Sequence, residues 1–407
     1  MTSPPAGPVA PVYDPFDPAF QDDPYPTYRT LRDDHPVYRH PDGYAVLSRF
    51  SDVWDAVHRA DLFSSASGLT FHDDEIGTLG LAPTIVMLDP PRHTELRRLV
   101  SKAFTPRRVE LLEDDIRRFV RGRLDLMAAR VADGGTVDLH RDFSSPLPTY
   151  VLATLLGVPA EDRERFDPWV SALVSIQADG LSLGGVTRAQ GAVTEMFTYF
   201  SEVITARRSD PGDDLVSALT VAEVDGERLS DWDILGFCFV LVAGGNDTTG
   251  NLISHGVLLL DRYPDQRRRL AADPSLLPGA CLEFLRLEGS VQGLARTTTG
   301  PVEIDGTSIP AGCKVLLLYA SANRDEREFG PTAADLDVTR PIPRHLGFAS
   351  GPHFCIGSHL ARLQARVALG ELLARFPDIG VDAAHGTRLP SAFTRGCVTL
   401  PATGITA

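Results

Sequence analysis

Residues 345–369 read HLGFASGPHFCIGSHLARLQARVAL, a cysteine set between two glycines and directly ahead of a strongly helical run. Gly351 and Gly357 permit backbone conformations closed to other residues, so the chain can loop tightly round the Cys355 sulfur and aim amide N–H groups at it. A helix starting near Ser358 brings the positive end of its dipole to the same place. Both features favour a thiolate over a thiol, the form in which sulfur ligates a metal. Cys238, Cys281, Cys313 and Cys397 are widely scattered and form no CxxC pair, which argues against a disulfide framework or a zinc site. They read as buried, inert thiols.

Outward from that loop the pattern is mainly helical. Apolar residues recur at helical spacing over 92–130, 143–157, 160–178 and 190–208, and again over 231–262, 264–272 and 276–288. Strands are few: 37–38 and 44–47 flank the turn Pro41-Asp42-Gly43, Val302–Ile304 and Thr307–Ile309 flank Asp305-Gly306, and 314–319 is an apolar run after Pro310. No repeat and no Pro/Gly/Ser-rich linker divides the chain. We expect residues 27–407 to form one mainly α domain with a small β region, and residues 1–26, rich in Pro and Asp, to be an extended arm over the surface.

Thirty-nine basic against 54 acidic residues give a net charge of −15, which argues against general affinity for nucleic acid. The first residues lack the basic and continuous apolar regions of a secretory signal, and their prolines oppose a helical anchor, so a cytoplasmic protein without membrane attachment is expected. The longest apolar stretch, 234–260, is interrupted by Gly-Gly-Asn-Asp-Thr-Thr-Gly, a polar insertion costly at the centre of a bilayer. It reads as a buried helix.

Phe348, Gly351, His353, Cys355 and Gly357 fit F-x-x-G-x-H-x-C-x-G, and here the chain resembles the cytochrome P-450 family. The resemblance runs over about residues 13–402, including Asp89-Pro90-Pro91-x-His93, Ala322-Asn323-Arg324-Asp325 and the late Arg395-Gly396 turn. It implies a cytochrome P-450 fold and haem b, iron protoporphyrin IX, with Cys355 on the iron and Phe348, Gly357, Ala243 and Gly244 beside the ring. The implied activity is that of a soluble bacterial monooxygenase, with dioxygen as co-substrate and hydroxylation as the expected reaction. One departure is Ala349, where the family often has a second glycine; a negative φ would accommodate it, with a slightly altered loop and no loss of ligation.

Three further groups of residues agree. In VLVAGGNDTTG, 240–250, poor helix formers interrupt an apolar helix, and a threonine hydroxyl can take the i−4 carbonyl and open a groove. Asp247 and Thr248 there resemble the family's acid-alcohol pair, in which the alcohol steadies dioxygen and the acid relays protons. Glu283 and Arg286 share one helical face, and the resemblance makes them a buried pair supporting the cysteine loop, with its third member unassigned because Asp335 stands where an arginine is often found. Haem propionates need cationic donors; His93 and Arg97 stand at i and i+4, and Arg296 and His353 occupy the family's other donor positions.

By the same analogy Phe71, Ile76, Leu79, Val240, Val291, Leu294 and Phe393 line the substrate pocket, which points to a hydrophobic small molecule. With no dinucleotide fingerprint or cysteine cluster in the sequence, electrons are expected from a separate ferredoxin and ferredoxin reductase. Arg98, Lys102, Arg107, Arg108, Arg362 and Arg366 would form the basic face that receives them. A peroxygenase on the same fold usually lacks the acid-alcohol pair, so Asp247 and Thr248 count against it. A haem protein that only senses gas or carries electrons is the other rival, and would leave no room for substrate.

Overall fold

The computed structural model describes residues 12–71, 83–166, 168–170, 172 and 183–406. Helices dominate, as the periodicity requires, around one large apolar core and a small sheet at its side. The helix Asp231–Gly245 begins at a capping box in which Ser230 and Asp233 satisfy each other's backbone amides, and Asp247–Arg262 continues it after a break at Asn246. Leu277–Leu287 and Ser358–Arg375 pack against Asp247–Arg262, and Glu113–Ala132 packs in turn against Ser358–Arg375. Cys238, Cys281, Cys313 and Cys397 are buried free thiols, as expected.

The principal sheet has five strands in the order Val37–Arg39, Ala45–Leu47, Lys314–Leu317, Leu294–Thr298 and Phe63–Ser64. Its one parallel pairing sets Ala45 opposite Val315, and the others are antiparallel. The hairpin Val302–Ile304 with Thr307–Ile309 forms where Asp305-Gly306 marks the turn.

Several boundaries differ from the expected ones. The 92–130 run is three helices, Arg92–Ala103, Pro106–Glu110 and Glu113–Ala132, because Pro106 cannot continue the first and Thr105 caps the second. The π-helical turn His140–Ser144 leads into Pro146–Leu155, Ala160–Arg165 is a 3₁₀ helix, and Leu183–Ser209 is longer than its pattern suggested. The apolar run at 314–319 stops being strand at Leu317 and turns into the short helix Tyr319–Ala322. Nor is the N-terminal segment only an extended arm: Asp17 caps the helix Pro18–Asp22, Tyr25–Asp34 follows, and Tyr13 is fully buried among Phe20 and Tyr28.

The Glu283–Arg286 pair is wholly buried, with Arg286 donating two bonds to the carboxylate at 2.7 and 2.8 Å. Its third member is Arg340, whose Nε lies 3.1 Å from Glu283 Oε1, and the Asp337 amide donates to the same oxygen at 3.2 Å. Arg286 Nη1 spends its remaining donors on the Asn323 and Ala333 carbonyls, and the Asn323 side chain accepts from the Leu346 amide at 2.7 Å. The buried ion pair therefore fixes the start of the cysteine loop through one asparagine.

Removing one partner of a buried ion pair leaves the other charge uncompensated. Glu283→Ala is expected to lower unfolding stability by about 3–5 kcal/mol, read from urea midpoints at equal slope. Arg340→Ala leaves the bidentate Arg286 contact in place and should lose only about 1.5–3 kcal/mol. A loss in Arg340→Ala equal to that in Glu283→Ala would contradict this order.

Candidate haem-thiolate site

The loop from Leu346 to Gly357 is tied by its own backbone: Ala349 N–H donates to Leu346 O at 3.0 Å, and Cys355 N–H to Phe348 O at 3.0 Å. Gly351 has φ +68°, and a β-carbon there would meet the Val57 carbonyl oxygen at 2.5 Å, so only glycine fits. Gly357 needs no such freedom, since its φ is −80°. Its contribution is the N–H that bonds the Cys355 sulfur. Ala349 contradicts the sequence expectation: its φ is +52°, so it occupies the left-handed conformation that a glycine would adopt. Alanine pays about 1 kcal/mol there relative to glycine, and the fixed loop ends enforce it.

Burial pushes the Cys355 thiol above its ordinary range, more than the Gly357 amide and the Arg97 charge pull it down. Burial thus favours the thiol over the thiolate that the sequence suggested. A metal ion bound at the sulfur would favour the thiolate. Among the described residues no cluster of His, Cys, Asp and Glu forms a conventional metal cage, so the sulfur would serve as a lone protein ligand.

Two residues before the sulfur, His353 enters a basic cluster. Its ring centroid lies 4.2 Å from that of His93, and its Nε2 is 3.2 Å from Ser65 Oγ. Burial, then the charges of Arg296, His93 and Arg97, hold His353 at about 3. Burial also lowers His93, whose Nδ1 is buried without a partner among the described residues. Arg296 is buried on its strand, with Nη1 on the Ala295 carbonyl at 2.8 Å, while Arg97 donates to the Phe354 carbonyl at 2.6 Å. The Asp89 charge reaches His93, and its carboxylate is engaged by Ser64 and the Ser65 amide. Two guanidiniums and two imidazoles converge here, and with the His93 Nδ1 left unpartnered among the described residues they fit a dianion such as a pair of propionates.

The broken helix supplies the other wall. Thr248 Oγ1 donates to the Gly244 carbonyl at 2.7 Å, the i−4 bond anticipated from sequence, and the helix parts at Asn246. Beside Gly244 there is open space where a side chain would begin, and Ala243 and Val240 are half-buried. Burial alone raises Asp247 to about 6, with no hydrogen bond to its carboxylate among the described residues.

Phe71 stacks on Tyr44 and Phe393, at 4.3 and 4.9 Å between ring centroids. Val291 bridges Thr394, and Leu294 opens the neighbouring strand. Phe348, behind the cysteine, packs against the main core. Ile76 and Leu79 lie outside the described residues. Sequence reasoning missed Ser65, Asn323 and Arg340, single polar residues whose partners are far away in the chain.

Half of the expected basic face is neutralised. Arg98 pairs with Asp225 at 2.9 Å, Arg108 with Asp213 at 3.8 Å, and Arg366 with Glu113 at 2.6 Å, while Lys102 Nζ donates to the Glu223 carbonyl. Among the described residues Lys102, Arg107 and Arg362 have no acid at ion-pair distance. No described helix is long and apolar enough to cross a membrane.

The family model "Cytochrome P450" matches residues 38–402. The chain is 47% identical over 388 residues to Cytochrome P450 130 of Mycobacterium tuberculosis, covering 93% of this chain and 94% of that protein. It is 38% identical over 400 residues to a vitamin D(3) 25-hydroxylase of Pseudonocardia autotrophica, covering 96% of each. Its fold matches cytochrome P450 CYP109Q5 of Chondromyces apiculatus with a TM-score of 0.86 at 37% identity, over 97% of this chain and 98% of that one.

A carboxyl group raised by folding favours its protonated form, so its contribution is present below the unfolded value near 4 and is lost as pH rises through about 6. Asp247→Asn keeps the shape and cannot ionise. Its stability advantage over the parent should grow between pH 5 and pH 8 by about 1–3 kcal/mol, followed by urea unfolding at each pH. A difference independent of pH would mean that Asp247 is not held near 6.

Proposed function

The chain belongs to the cytochrome P450 family, and on that premise we propose that Cys355 is the axial ligand of haem b, with His93, Arg97, Arg296 and His353 on its propionates and Asp247 and Thr248 governing proton supply. The protein is a haem-dependent monooxygenase, an enzyme that inserts one oxygen atom into an organic substrate. When bound, thiolate-ligated haem supplies the reductive activation and cleavage of dioxygen. The residues supply position, dryness and protons.

One observation carries the assignment: a single short loop presents both the Cys355 sulfur and His353 of the basic cluster, so one backbone excursion offers a metal ligand and an anion site together. Phe348 and Gly357 frame the sulfur side. Ala243 is small and Gly244 borders open space, which leaves room on the opposite wall. Thr248 holds its proton toward the Gly244 oxygen, and release of that bond would free the hydroxyl for an incoming oxygen species. Asp247, near 6, takes up and gives back a proton at its carboxyl oxygens close to neutral pH.

The substrate is proposed to be hydrophobic, on the apolar character of Phe71, Val240, Val291, Leu294 and Phe393, and hydroxylation is the reaction named for the similar vitamin D(3) 25-hydroxylase. Electrons are proposed to come from a ferredoxin and its reductase. Lys102, Arg107 and Arg362, together with exposed Phe354 beside the cysteine, support docking on that face, although the ion pairs of Arg98, Arg108 and Arg366 make it mixed in charge. A cytoplasmic location accords with such partners.

Thr248→Ala tests the proton assignment. The variant should bind substrate as the parent does and still consume reductant, while peroxide released per product rises several-fold. Unchanged coupling would place the proton path elsewhere, and a parallel loss of substrate affinity would make Thr248 a binding residue.

A further inference from the structure

Glu288 is buried and is approached by three guanidinium groups. Arg324 reaches it at 3.4 Å and Arg395 at 3.3 Å, and the charge of Arg388 lies within range of both Glu288 and Arg395. Three guanidiniums against one carboxylate leave this interior region with an excess of positive charge. His255 does not alter the balance, because burial holds it neutral, at about 4. Arg324 and Arg395 also spend donors on carbonyls: Arg324 on Leu287, and Arg395 on Gln21 and Asp22. Arg388 is different, since its Nη1 is buried with no partner among the described residues.

A second donor faces the same space. Ser391 is buried, and its oxygen already accepts the Phe393 amide at 3.2 Å and the Thr394 amide at 3.0 Å. Both acceptor positions of the hydroxyl are filled, so its hydrogen is what remains to be placed. Arg388 and Ser391 line one cavity of about 20 Å³, and no Asp or Glu side chain borders it. Gln292, also in its wall, is committed to Tyr28 and to the Gly289 carbonyl. That volume is enough for one water-sized occupant, since about 10–15 Å³ is the minimum.

We propose that this cavity between Arg388 and Ser391 is a monatomic-anion site, taking chloride or another halide, which pins the turn that carries Phe393. A halide accepts hydrogen bonds and donates none, which matches two unspent donors in a region of excess positive charge. A water molecule would have two hydrogens of its own to place, whereas a halide has none. The site stands without the assignment of Phe393 to the substrate pocket; only its consequence for substrate rests on that assignment.

The test uses the haem-loaded enzyme. Thermal midpoints are measured in sodium chloride, sodium bromide and sodium gluconate at equal ionic strength, for the parent and for Arg388→Met and Ser391→Ala. Halide should raise the parent midpoint by about 3 °C at a hundredfold excess over its dissociation constant, whereas gluconate should not. Both variants should lose the halide response. Crystals grown in bromide should show anomalous signal between Arg388 and Ser391. Equal responses to halide and gluconate, a full response in Arg388→Met, or water density without anomalous signal would each overturn the site. Should Arg388→Met fail to fold, the parent titration and the bromide crystals decide the question alone.

Discussion

A sulfur kept anionic inside a protein must be offset by positive charge, because burial favours the neutral thiol. At Cys355 that opposition is explicit: burial raises the thiol, and the Gly357 amide and the Arg97 guanidinium recover only part of the effect. In the proposed haem site iron would supply the rest. The same loop carries His353 beside His93 and within range of the Arg97 and Arg296 charges, so in the proposed site sulfur and cluster hold complementary halves of one prosthetic group.

Rigidity behind the loop follows from the buried ion pair. Glu283 fixes Arg286, Arg286 grips the Asn323 carbonyl, and the Asn323 side chain takes the Leu346 amide. Arg340 completes the set from the far side and satisfies the same carboxylate. Ala349 can then be held at φ +52° although it lacks the freedom of glycine, because hydrogen bonds on either side leave the loop no other course. Across the site, the helix break at Asn246 lets Thr248 reach back to Gly244 and leaves Asp247 buried near 6.

What could be read from sequence was what depends on local pattern. The cysteine between glycines, the i−4 bond of Thr248 and the basic residues at 93, 97, 296 and 353 are motif positions, and the structure brings the basic four together. Pairings over long separations were not legible. Arg340 meets Glu283 across 57 positions, and Arg98 finds Asp225 across 127, so the third member of the network stayed unassigned and the basic face was overestimated. Local geometry misled at Ala349, where side-chain preference suggested negative φ and tertiary closure dictated otherwise. The N-terminal segment was misread because proline suggests extension, whereas here Pro18 sits at the start of a helix.

The proposed bond from Cys355 to iron is reported directly by the spectrum of the reduced protein under carbon monoxide. A Soret band shifted far to the red, as thiolate ligation produces, is expected for the parent protein and should be absent in Cys355→Ala. Survival of that band in Cys355→Ala would assign the iron to another ligand and contradict the account.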